Sequence, residues 1–294
     1  MVILYGAMGV GMFLLNFSSP QNFQPFILVS VITSAALIPI LLTKKKPPTF
    51  KRIKAMTLKN LYEASPFGMV SSFFYGTIQA ALFTLLAVYA TSMNFSILEI
   101  SIVTFLLAVS GAISQFPVGK ISDIYDRRIV IVVSTFGASL FALLAILVSR
   151  QMYLPEGLAT SKTWFYICLV LFSFCSLPMF SLILAHTNDY IPKEKFVAAG
   201  AGLQFVFGLG AMSGPFLCSI FMDLVGSNGF FIFLFFFHSV IGFFGIYRMK
   251  IRKTVDNPDS QFVAMPQTIT PAGIELNPTT EPIEEPIKET EKII

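Results

Sequence analysis

Apolar residues in this chain gather into long runs separated by charge, Pro, Gly or Asn. Eight can be marked: Val2–Phe17, Pro25–Thr43, Pro66–Thr91, Leu98–Gly119, Ile129–Ser149, Thr163–His186, Phe196–Val225 and Gly229–Tyr247. A hydrocarbon core about 30 Å thick is crossed by roughly 20 apolar residues in helical form. The pattern therefore predicts an all-α fold, a polytopic transmembrane helix bundle of about eight spans embedded in a lipid bilayer. The first run is short, and Met1 leads straight into it with no basic region or small-residue cleavage site, so no secretory signal peptide is expected.

The connections carry the charge, and they carry it unevenly. Lys44, Lys45, Lys46, Lys51, Arg52, Lys54 and Lys59 fall between the second and third runs. Lys120, Arg127 and Arg128, then Lys193 and Lys195, then Arg248, Lys250, Arg252 and Lys253 occupy the alternate links, whereas the opposite links hold only Arg150 and Lys162. Basic residues collect on the cytoplasmic side of spans, which predicts a cytoplasmic Lys44–Lys59 link and C-terminus in a cell membrane. The same distribution explains the net charge of +4 without a nucleic-acid partner. Beyond residue 250 the chain turns to Pro, Thr and Glu with few aromatics and reads as a disordered tail, residues 250–294.

Composition supports the membrane reading, since charged residues make up 12% of the chain against about 25% in soluble domains. Cys168, Cys175 and Cys218 lie inside apolar runs with neither zinc-type spacing nor a disulfide pattern, and behave as small buried hydrophobes. His186 and His238 are too far apart in sequence to suggest a metal site, and no Gly-rich phosphate loop with Lys and Ser/Thr is present. No metal, cofactor or enzymatic chemistry is expected.

One link is more specific than the rest. Gly119-Lys-Ile-Ser-Asp123-Ile-Tyr-Asp126-Arg127-Arg128 resembles the cytoplasmic signature loop of the major facilitator superfamily: a glycine, an aspartate four residues on, then paired basics. Ile124 and Asp126 replace the usual basic residue and glycine, so the loop resembles the second, more degenerate copy in such transporters. The resemblance implies that residues 66–249 are the C-terminal six-helix half and residues 44–65 a basic cytoplasmic connector. Residues 1–43 then hold two spans of the N-terminal half, with Gly6, Gly9 and Gly11 as a packing face, in an N-terminally truncated transporter missing the rest of that half. It also implies a conformational latch built from Gly119, Asp123, Arg127 and Arg128. The alternative is an ordinary topology-setting loop with a salt bridge.

Transporters of this kind hold solute near the midplane between two helical halves. On the third run Gly68, Ser72, Tyr75, Gly76 and Gln79 share one helical face closed by Phe83. Ser173, Ser176 and a Pro178 kink follow on the sixth run and Gln204 on the seventh, with Ser110, Ser114 and Gln115 as weaker candidates. These side chains either line a solute cavity or bond between helices. No acidic residue lies midway along any run, which favours a neutral or amphiphilic solute and leaves a coupling ion without an obvious carboxylate. The function expected is secondary transport of a small solute by alternating access, ion-coupled or facilitative. The alternative is a transporter-like membrane protein with a sensing or scaffolding role.

Overall fold

The computed structural model describes residues 2–17, 21–42, 56–151, 158–252 and 262–265. Among these the regular structure is helical: α1 (Val2–Phe13), α2 (Gln24–Ala35), α3 (Ile38–Leu41), α4 (Leu58–Ala64), α5 (Pro66–Ser92), α6 (Ile97–Ile124), α7 (Arg127–Gln151), α8 (Leu158–Ser176), α9 (Met179–Asn188), α10 (Phe196–Val225) and α11 (Gly229–Ile251). Most of the basic connector and most of the tail lie outside the described residues.

Among the described residues six spans are long and apolar enough to cross a membrane, with α8 and α9 together forming one, Ser161–Asn188. These are six of the eight expected runs, and the other two form shorter apolar helices. The first run folds as α1 and the second as α2 followed by α3, and a twelve-residue helix at 1.5 Å per residue is only about 18 Å long, short of a hydrocarbon core. None of the residues of α2 is buried. By contrast α1 lies along α6, where Gly9 abuts Phe105 and Ala108, Phe13 meets Phe105 edge-on, and Asn16 donates to Ser101 at 2.9 Å. Gly6 and Gly11 face open space, so only Gly9 of that predicted packing face packs closely.

Local sequence sets the helix ends. Ser65 caps α5 with Pro66 in the first turn, and Ser96 and Glu99 form a reciprocal capping box on α6. Asn94 (φ 58°) carries the tight turn between α5 and α6, and Gly226 (φ 77°) ends α10 in a conformation that a Cβ would strain. Pro117 and Pro215 stay inside continuous helices, whereas Leu177-Pro178 breaks the fourth span into α8 and α9.

In the bundle α5 packs against α10 and α11, α7 joins α11 to α8, and α6 lies against α8. The α5–α10 seam is the closest: a Cβ on Gly76 would strike the Phe207 main chain, and one on Gly210 or Gly214 the main chain of Phe73 or Thr77. Backbones approach this way where lipid provides no hydrophobic drive between helices. Tyr89 stacks on Phe165 and Phe230, anchoring the end near the α5–α6 turn. The opposite end gathers Lys120, Arg127, Arg128, Lys193, Lys195, Arg248 and Arg252, and is called the basic end below.

Candidate functional site

At the basic end the joint between α6 and α7 is shorter than the sequence suggests. Helix α6 runs through Gly119 to Ile124, leaving only Tyr125 and Asp126 between the two helices. Lys120, Ser122 and Asp123 continue the helix beyond the apolar run, with Lys120 exposed, Ser122 donating to the Gly119 carbonyl at 2.7 Å and Asp123 accepting from Arg127. Capping of α7 falls to Asp126, whose Oδ1 accepts from the Arg128 main-chain N–H at 2.9 Å.

The paired arginines diverge from there. Arg127, buried, donates to Asp123 Oδ1 at 2.9 Å, to the Ala185 carbonyl at 3.2 Å, and to Asp189 in a short ion pair. It thus ties α6, α7 and the end of α9 together. Arg128 forms a two-pronged pair with Asp126 and donates to the Arg252 carbonyl at 2.6 Å. Arg252 in turn donates to the Ala64 carbonyl at 2.6 Å and stacks its guanidinium 4.1 Å over the Tyr190 ring. Burial pushes the Tyr190 phenol above its usual pKa, and its two arginine neighbours work against that rise.

The second site lies at the break in the fourth span. Pro178 has no N–H and interrupts the helical ladder there. The Leu177 carbonyl accepts from the Tyr75 hydroxyl at 3.3 Å and the Gln115 amide at 3.5 Å. Ser181, one turn into α9, has its hydroxyl 3.4 Å from Gln115 Oε1. Non-helical backbone within a span is tolerated only where protein or a water-filled cavity surrounds it. Tyr75, Gln115, Leu177 and Ser181 thus form one buried polar group drawn from α5, α6 and the α8–α9 junction.

The other singled-out residues are scattered around this group. Ser72 donates to the Leu203 carbonyl at 2.9 Å across the α5–α10 seam. Gly68 fits against Thr187. Ser173 donates to the Leu107 carbonyl at 2.6 Å, and Ser176 lies 3.0 Å from His238 Nε2, both fully buried. Gln79 and Gln204 each keep a buried side-chain oxygen without a bonding partner among the described residues. Ser110 donates to the Val170 carbonyl, and Ser114 to Gly111 within its own helix. Gly119 is a helical position covered by the Phe262 ring.

Sequence reasoning did not single out Asp189, Ser181 or the Leu177 carbonyl. The first has a legible signal, an acidic residue just past the apolar end of a span. The third has one in Pro178, whose break frees backbone groups nearby. Among the described residues no three His, Cys, Asp or Glu side chains come together as a metal-binding group, and the three cysteines are free thiols.

The sequence profile of the Major Facilitator Superfamily matches residues 68–282, well over half of the chain. YfkF of Bacillus subtilis, described as an uncharacterized MFS-type transporter, is 26% identical over 186 residues, covering 60% of this chain and 44% of that protein. An uncharacterized MFS-type transporter of Yersinia enterocolitica is 22% identical over 267 residues, 90% of this chain and 65% of its own length. YcaD of Escherichia fergusonii, described in the same words, is 20% identical over 235 residues, 79% of this chain and 58% of its own. The chain therefore spans between 44% and 65% of the length of these relatives. No solved structure matches it.

Proposed function

Because the chain belongs to the major facilitator superfamily, we propose that its six spans work as one body of a solute transporter that exposes a midplane site alternately to the two sides of a cell membrane. The observation that carries the reading is the broken fourth span. Interrupted helices at membrane depth place backbone acceptors where solute or ions are held, and here Leu177 offers one beside Tyr75, Gln115 and Ser181. Gln79 and Gln204 bring further unsatisfied acceptors to the α5–α10 side.

The solute we propose is small and neutral or amphiphilic, because among the described residues the middle of every span lacks Asp, Glu, Lys and Arg. The basic end is proposed to be cytoplasmic, following the distribution of Lys and Arg. There Asp123, Arg127 and Asp189 act as a latch: three helices are held by one guanidinium, and the contacts re-form each time the bundle closes at that end. The reading is tested by solute flux in cells with and without the intact gene, across a panel of neutral and amphiphilic compounds. A flux difference that requires the polar group supports it. Unchanged solute levels on deletion would instead favour a sensing or scaffolding role.

A further inference from the structure

We infer that Phe262–Met265 is a tail strap that docks reversibly on the basic end, sharing Asp123 with the ion-pair network and covering the approach to the polar group at Leu177. Phe-Val-Ala-Met is the one run of four hydrophobic residues after Lys253; elsewhere in that stretch they come singly or as the final Ile293-Ile294 pair. The run is seated by complementary contacts at both ends. The Phe262 N–H donates to Asp123 Oδ1 at 2.7 Å, the same oxygen that accepts from Arg127. Its ring lies directly on Gly119, where any side chain would displace it.

At the other end, Met265 is 3% exposed and packs among Leu61, Leu184, Ile191, Phe196 and Leu203. The Met265 N–H donates to Ser181 Oγ at 3.1 Å. The single Ser181 proton then has two acceptors in reach, the Met265 carbonyl at 3.2 Å and Gln115 Oε1 at 3.4 Å. Docking therefore draws on Ser181, and Ser181 adjoins the glutamine that donates to Leu177. When the strap leaves, Asp123 loses one donor, and the Ser181 proton is left to Gln115 alone. Tail occupancy is thereby coupled to both the latch residues and the polar group.

The strap is built to exchange. It is held by three main-chain hydrogen bonds, the Phe262 ring on Gly119 and one buried methionine, and it is tethered to α11, which keeps its effective concentration on the order of millimolar even when undocked. Weak contacts then suffice for high occupancy, and a competing partner or a moving helix end can still release it. Its effect on transport rests on the function proposed above, whereas docking itself does not.

The test uses the full chain in lipid nanodiscs, with Cys168, Cys175 and Cys218 replaced by Ala and one reporter cysteine added. Met265→Cys should react with a charged maleimide about tenfold or more slowly than Ile124→Cys, which lies exposed on the same end, because local opening must come first. Ser181→Ala or Phe262→Ala should speed labelling at position 265 and leave position 124 unchanged. Equal rates for the two reporters would overturn the strap, and so would protection that neither substitution relieves. Where a transported solute is in hand, Met265→Asp should raise the flux. Relief of protection with unaltered flux would keep the docking and remove the gating.

Discussion

The Tyr75 hydroxyl donates to the Leu177 main-chain carbonyl across 3.3 Å, joining the first helix of the six-span bundle to the break in its fourth span. The tyrosine is fully buried, and its ring lies beside Phe207 of α10. Helix α5 thus reaches in two directions at one level, through Gly76 to the α10 backbone and through Tyr75 to the interrupted α8–α9 span.

That position gives the first prediction. Tyr75→Phe removes one donor from Leu177 and keeps the ring, and Gln79→Ala removes a buried acceptor nearby. The Tyr75 bond joins two membrane helices, and such bonds are worth about 0.6 kcal/mol on average, so Tyr75→Phe should express at wild-type level and lose only a few degrees of thermal stability in detergent. The double variant should nevertheless lower solute flux. Wild-type flux at equal membrane abundance would remove this face from the site.

A second prediction concerns charge. Asp123→Asn keeps the shape and an acceptor for the Phe262 N–H but weakens the pull on Arg127. It should slow conformational cycling, measured as counterflow against net flux, with little change in apparent affinity. An effect confined to affinity would argue against the latch.

Arg127→Ala is predicted to be far more severe. It takes the guanidinium away from the largely buried Asp189 carboxylate, and breaking a buried pair by removing one partner costs about 3–5 kcal/mol. Arg127→Lys restores charge but cannot reach Asp123, Asp189 and the Ala185 carbonyl together, so it should recover only part of the lost stability. Full recovery by lysine, measured by thermal unfolding in detergent, would show that the fork geometry is unimportant.

Helix approach supplies a fourth prediction. Gly76→Ala puts a methyl group onto the Phe207 carbonyl, and because the obstacle is backbone the helices must separate. Gly210→Ala does the same against Phe73. Overpacking of this kind typically costs about 1–3 kcal/mol, so both should fall clearly below wild type in stability. Gly208→Ala on the same helix meets nothing within 4 Å and serves as the neutral control.

The fifth is a double-mutant cycle on Ser176 and His238. Either single substitution leaves a fully buried partner without that bond, and the coupling between them should fall between about 0.6 and 1.7 kcal/mol. Additive effects would mean that the 3.0 Å approach carries no energy.

Much of this is legible in the sequence. The long apolar runs located all six spans within a few residues, and the alternation of basic links placed one end of every span together. The signature loop pointed to Asp123, Arg127 and Arg128. Other features depend on three-dimensional partners that sequence does not name. The polar face of α5 gave no sign that Ser72 would turn to the Leu203 carbonyl while Tyr75 turned to Leu177. Asp189 became visible as the second carboxylate on Arg127 only once α7 and α9 were side by side. The first run already reads as short, but the division of the second into α2 and α3 escaped hydropathy, which counts apolar residues and not the hydrogen-bonded turns they complete. Composition marked the tail as polar on average, and averaging hid the four residues that dock.

The most direct test of the central claim, that the broken fourth span is a transport site, is solute flux measured with Gln115→Ala combined with Tyr75→Phe. This pair removes both side chains that donate to Leu177 and touches neither the basic-end ion pairs nor the α5–α10 glycines. Cells carrying the intact gene should move at least one neutral or amphiphilic compound that deletion cells do not, and the double variant should abolish that difference at equal membrane abundance. A flux that survives the double variant unchanged would contradict the assignment of the site.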